Sequence, residues 1–197
     1  MIHIEIKDFC KLLQARNYSP HTIDNYAIDL RLFFAEINKP LRQITWRQID
    51  QFVQRQHEEG LAATTIDRRL NAIKRFFDYL VIEQEKLPIN PIKPSHFLKQ
   101  GRPLPKKLTQ EQIRRLFAGI KNPVDRAMFM LMLRCGLRVS EVAHLKVSDI
   151  DWEQQALMVE QGKGRKDRRL YISADALASL KECMQMRPPS IEGDNFF

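Results

Sequence analysis

Five of the chain's ten prolines fall in one stretch: Pro88, Pro91, Pro94, Pro103 and Pro105. Proline at that density removes backbone donors and fixes φ, so no helix runs through it and the segment is held extended. It divides the 197 residues into two parts, each of a size to build a small core. The expected organisation is a domain over 1–86, a stiff connector over 87–105 and a second domain over 106–197. Lys93, Lys99, Arg102, Lys106 and Lys107 make the connector cationic, which a plain spacer does not need.

The charge of the whole chain points the same way. A net charge of +8 favours a polyanionic partner, either nucleic acid or an acidic membrane surface. Hydrophobic residues make up 44%, enough for real cores, so global disorder is excluded. Cys10, Cys135 and Cys183 show neither CxxC nor metal-ligand spacing, which argues against a disulfide framework and a metal site. Charges interrupt the first eight residues, unlike a signal peptide, and no run is apolar enough to span a bilayer. The expectation is a reducing, cytoplasmic setting with no membrane partner.

Four helices are predicted before the prolines. The first carries Ile6, Phe9, Leu12 and Leu13 on one side. The second opens at Ser19-Pro20, a cap followed by proline at the first helical position, and buries Tyr26, Leu30, Phe33 and Ile37. His21 and Asn25 fall on its other face. Thr45-Trp46-Arg47-Gln48 is a capping box for the third. The fourth, expected from about 64 to 84, buries Ile66, Leu70, Ile73, Phe77 and Leu80, while Thr64, Arg68, Asn71 and Arg75 line the opposite side. Cations interleaved with hydroxyl and amide groups suit phosphates and base edges. Taken alone, the ridge is equally a solvated charged face.

Beyond the connector, Thr109-Gln110-Glu111-Gln112 is a second capping box, expected to turn Ile113, Leu116 and Phe117 inward. Residues 123–134 are apolar nearly all round and should form the buried centre of this half. Gly136 ends that helix, and Arg138 stands at the start of the next, with Glu141 one turn on. Three short strands follow, near 149–152, 156–159 and 168–172. The last two are joined by a loop holding Gly162, Lys163, Gly164 and Lys166. Ser173 is expected to cap a final helix, and 190–197 to be a ragged tail. The fold class is therefore mainly α with a small three-stranded antiparallel sheet.

Arginine at a helix start can bind two phosphate oxygens in a fork, and Glu141 could hold it in one rotamer. A lysine on a glycine-flanked hairpin tip can reach a phosphodiester and donate a proton to a departing alkoxide. Each has a plainer reading, an ordinary helix-start ion pair and a solvated turn lysine.

Gly136-Leu137-Arg138-Val139-Ser140-Glu141, then Ser148-Asp149-Ile150-Asp151, then Gly162-Lys163-Gly164-Arg165-Lys166-Asp167-Arg168 resembles, in order and spacing, the tyrosine recombinases. The likeness is greatest to the short bacterial integrases of the Xer and integron type. Tyr18-Ser19-Pro20-His21-Thr22 and Thr64 to Ile73 resemble that family's core-binding, SAM-like domain. The resemblance implies that Arg138 stabilises the phosphate in the transition state. It implies that Lys163 assists the leaving 5′-hydroxyl, with Lys166 the poorer candidate. It also implies double-stranded DNA as partner, with His21, Asn25, Thr64, Arg68, Asn71, Arg75 and Lys166 on the DNA side.

By the same resemblance the reaction is strand cleavage and rejoining through a phosphotyrosine link, with no metal or other cofactor, by a homo-oligomer on DNA. The family also requires a His-x-x-Arg pair, a further His or Trp, and a late tyrosine. The five histidines here have no arginine three places on, and Tyr171, the last of four tyrosines, reads as packing. The expectation is an incomplete catalytic domain, either a recombinase cut short or a non-catalytic, regulatory occupant of recombination sites. In such a domain the helix over 123–134, built for burial all round, is expected to be partly uncovered. An unrelated helical regulator would leave the Gly-Lys-Gly hairpin unexplained.

Overall fold

The computed structural model describes residues 2–101, 104, 107–159, 167–186 and 194–197, and the chain divides into two units after Leu104. The first unit is a helical bundle: α1 (Ile2–Ala15), α2 (Pro20–Ile37), α3 (Trp46–Glu58) and α4 (Ala63–Asp78), with a π-helical turn over Tyr79–Glu83. Local chemistry sets the helix starts. The Ser19 side chain accepts from the Thr22 N–H at 3.3 Å, with Pro20 in the first turn. Gln48 Oε1 accepts from the Thr45 N–H at 3.0 Å.

The core is aromatic. Phe33 and Phe52 meet edge-on at 5.1 Å, as do Phe9 and Phe76 at 5.5 Å, joining α2 to α3 and α1 to α4. Edge-to-face pairs of this kind contribute about 1 kcal/mol each beyond their burial. Ile66, Leu70, Ile73 and Phe77 of α4 are fully buried among them. The α-helical ladder ends at Asp78, earlier than expected, because the Tyr79–Glu83 turn continues the rod with wider bonds.

The proline segment is not a free connector. Leu87 and Ile92 are buried in the first core. Asn90 donates to the Lys74 carbonyl (3.0 Å) and to Asp78 Oδ1 (2.7 Å), and the Leu98 N–H donates to Asp67 Oδ1 at 3.0 Å. His96, 4% exposed, accepts from the Lys93 N–H at Nδ1 (2.9 Å), and its Nε2 lies 3.3 Å from Asp50 of α3. The segment is not extended throughout, since Pro94–His96 form a 3-10 turn, and the apolar residues between the prolines fasten it to the bundle over 87–98.

The second unit begins with α5 (Gln110–Gly119) and α6 (Pro123–Cys135), followed by α7 (Val139–Ala143). A three-stranded antiparallel sheet comes next, β1 (Ile150–Asp151), β2 (Ala156–Val159) and β3 (Arg168–Tyr171) in that order, and then α8 (Ala174–Gln185). Thr109 and Gln112 cap α5 reciprocally at 2.8 and 3.2 Å. Gly136 closes α6 with φ +64°, a left-handed value that favours glycine.

α6 turns Ala127, Leu131 and Met130 to the core and leaves Phe129 and Leu133 each 42% exposed, the partial uncovering expected of this helix. Two expectations are corrected here. Leu116 of α5 points outward, since α5 buries no residue fully. Of the tail expected to be ragged, 190–193 lie outside the described residues and 194–197 are docked. The Val147 N–H donates to the Asp194 carbonyl and the Phe196 N–H to the Leu145 carbonyl, both at 2.7 Å, and Phe196 is 2% exposed. A buried aromatic, these backbone bonds and the hydrogen bonds from the Ser148 N–H and hydroxyl to the Asp194 carboxylate organise Asp194–Phe197, and none of them is visible in local pattern.

Candidate nucleic-acid interface

Along the outer side of α4, Thr64, Arg68, Asn71 and Arg75 are all exposed and line one shallow cavity of about 570 Å³ with Tyr26, Asp67 and Gln100. His21 and Asn25 of α2 do not line it; His21 is exposed and Asn25 half-buried. The cations of this ridge are not loose. Arg75 bonds the Tyr18 hydroxyl and lies over that ring at 5.2 Å. Asn71 donates to the Asp67 carbonyl at 2.8 Å.

Arg68 is paired with Asp29, a residue the sequence reading passed over. Asp29 is 1% exposed, and its other oxygen lies 3.9 Å from Arg69 Nε. Burial pushes its carboxyl pKa up, against the pull of Arg68 and Arg69. A signal was available. Asp29 sits three places after Tyr26 and four before Phe33, at the spacing of the buried stripe of α2, where a lone carboxylate needs a cation from another helix.

In the second unit, Arg138 takes an extended conformation (φ −78°, ψ 154°) immediately before α7. Its N–H donates to Glu141 Oε2 at 2.8 Å and its Nη1 to Oε1 at 2.7 Å. Glu141 is held from the other side by Arg168, whose Nη1 and Nη2 donate to Oε1 and Oε2 at 2.9 and 2.7 Å. The side chain of Glu141 is 8% exposed, that of Arg168 31% and that of Arg138 51%. Arg168 above all, with the Arg138 amide and guanidinium, pulls the Glu141 pKa down to about 2. The two arginines thus favour the charged carboxylate, and a half-exposed guanidinium stands fixed above it, able to take an anion.

Beside Glu141 lies a cavity of about 420 Å³, lined by Ser140, His144, Lys146, Asp149 and Met158 among others. His144 Nδ1 is 2.7 Å from the Ser140 carbonyl. Lys163 and Lys166 lie outside the described residues. Tyr171, expected to pack, is 78% exposed: β3 alternates, turning Arg168 and Leu170 inward and Arg169 and Tyr171 outward. Among the described residues there is no cluster of side chains fit to hold a metal ion, and no helix is long and apolar enough to cross a membrane.

Comparison with known proteins agrees with this architecture. Residues 106–195 match the phage integrase family, and residues 6–84 match the phage integrase N-terminal SAM-like domain. Tyrosine recombinase XerC of Escherichia coli O157:H7 (strain EC4115 / EHEC) is 34% identical, with 94% of this chain and 65% of that protein covered. The XerC of Escherichia coli O1:K1 / APEC is 33% identical with the same coverage. The chain thus spans about two thirds of the length of these curated relatives, 65%.

Among solved structures, a lambda integrase(75-356) dimer bound to a COC' core site superposes with a TM-score of 0.76 at 20% identity, covering 93% of this chain and 69% of that one. The Tn1549 transposon integrase (aa 82-397) in complex with circular intermediate DNA gives 0.70 at 18% identity, covering 98% and 70%. At those identities the likeness is one of fold. With both halves matched and the curated relatives alike across nearly its whole length, the chain belongs to the phage integrase family of tyrosine recombinases.

Proposed function

We propose that residues 1–197 grip duplex DNA, with the α4 ridge of the first unit on the groove and Arg138 of the second on a backbone phosphate. This is the DNA-holding part of a site-specific recombinase. The observation that carries the reading is the mounting of Arg138: a half-exposed guanidinium fixed on a buried carboxylate that a second arginine keeps charged. Such a group can meet the extra negative charge of a five-coordinate phosphorus without reorganising. Thr64, Arg68, Asn71 and Arg75 would supply phosphate and base contacts, and His21 and Asn25 would flank them on α2. Lys163 is assigned to the leaving oxygen and Lys166 to the backbone. The names of the relatives support this reading, since the lambda and Tn1549 integrases are described bound to DNA.

A second reading concerns the chemistry. Residues 1–197 hold no His-x-x-Arg pair, and the exposed Tyr171 lies eight residues after Lys163 rather than late in a catalytic domain. Binding without a phosphotyrosine link is therefore expected of this chain by itself, whether as part of a longer recombinase or as an occupant of recombination sites. A nicked duplex substrate tests it. Shifted but uncleaved DNA fits the proposal, whereas a covalent protein–DNA adduct would contradict the non-covalent assignment. Failure to shift any duplex at low salt would remove the DNA reading altogether.

A further inference from the structure

We propose that Arg168 is a positioning residue for Arg138, acting through Glu141. The role presupposes that Arg138 binds a backbone phosphate, as proposed above. An Arg–Glu pair three places apart on a helix start contributes little when exposed, too little to hold a guanidinium in one rotamer. Glu141 is not left to that pair. Arg168, 27 residues further on, closes a two-pronged fork on both carboxylate oxygens, Nη1 to Oε1 at 2.9 Å and Nη2 to Oε2 at 2.7 Å.

A fork of this geometry fixes the plane of the carboxylate as well as its charge. With those lone pairs taken, Oε2 meets the Arg138 N–H and Oε1 meets Arg138 Nη1, at 2.8 and 2.7 Å. Four donors fill the carboxylate, and each oxygen serves both arginines.

The mounting of Arg168 is rigid as well. It opens β3, paired in register with Val159 of β2, and shares the inward face of the strand with Leu170. That face is where an apolar residue would pack, and Val159 itself is 5% exposed. A guanidinium there has both terminal nitrogens committed to Glu141, so it is not itself disposed to take a phosphate. Arg138 uses one terminal nitrogen and its backbone, and leaves the rest of its half-exposed head outward. The division of labour follows from those atoms: Arg168 sets Glu141, Glu141 sets Arg138, and Arg138 faces the ligand.

The test uses the full chain, a labelled mixed-sequence duplex and nitrogen-15 NMR of the arginine Nε–H signals, with R138A identifying the Arg138 signal. R138A is expected to weaken duplex binding about tenfold, and R168K about fivefold while keeping the charge; in the R138A background R168K should have no further effect. R168K should also shift the Arg138 signal toward that of free arginine, which a merely stabilising role of Arg168 would not do.

Equal losses from R168K in both backgrounds, or an unmoved Arg138 signal, overturn the proposal. If R138A leaves affinity unchanged, the phosphate reading falls instead, and the NMR signal alone decides whether Arg168 orders Arg138. Should R168K fail to fold, R168M removes the fork while keeping the stem of the side chain and carries the same expectations.

Discussion

Both units carry a buried carboxylate beside two arginines, and the two carboxylates behave oppositely. Asp29 of α2 is almost completely enclosed, pairs with Arg68, and has its second oxygen 3.9 Å from Arg69; burial dominates, and its pKa is raised. Glu141 is nearly as enclosed but receives hydrogen bonds on both oxygens, and its pKa falls to about 2. Depth of burial and the number of donors both enter: desolvation leads at Asp29, and the hydrogen bonds from Arg168 and Arg138 outweigh it at Glu141. Glu141 is a finished socket for Arg138, while Asp29 is a strained anchor under Arg68.

The contrast is sharpest in unfolding. Glu141→Gln leaves two guanidinium groups facing a neutral amide and should cost about 3 kcal/mol in the second unit. Asp29→Asn removes a charge that the fold already disfavours and should cost about 1 kcal/mol or less in the first. The chain has two tryptophans, Trp46 in the first unit and Trp152 in the second, so single-tryptophan variants followed in urea report each unit separately. Equal costs would break the comparison.

Acid should separate the units by sign. Glu141 and Asp175, both with lowered pKa values, stabilise the second unit above their unfolded pKa values. That contribution is lost as pH falls from about 4.5 toward 2. Asp29 and Glu36 of the first unit have raised pKa values, so their contribution is fullest at low pH and is lost as pH rises through the folded values. Thermal melts between pH 7 and pH 3 should show Trp152 reporting the larger loss. A larger loss at Trp46 would reverse the assignment.

Less depends on the outer face of α6. Leu131→Ala, at a fully buried position, should cost about 3 kcal/mol, whereas Phe129→Ser, at 42% exposed, should cost about 0.5 kcal/mol. The pair measures how far this helix departs from burial on every side.

These contrasts also mark what sequence could and could not convey. The α4 stripe, the Thr109 box, the glycine that ends α6 and the paired β2 and β3 were all legible, because each depends on neighbours within a few residues. Asp29 with Arg68 and Glu141 with Arg168 join positions 39 and 27 residues apart, and only the fold brings them together. Leu87 and Ile92 were hidden by their prolines, whose stiffness said nothing about where apolar neighbours would dock. Phe196 gave no periodicity because one buried aromatic, with hydrogen bonds to distant residues, can anchor four residues without any.

The reading of Arg138 as a phosphate ligand is tested most directly by duplex binding measured against salt, for the unaltered chain and for Arg138→Ala. Loss of one phosphate contact should make the slope of log affinity against log salt shallower by about 1 and weaken binding alike on all sequences. Identical slopes for the two proteins would contradict it.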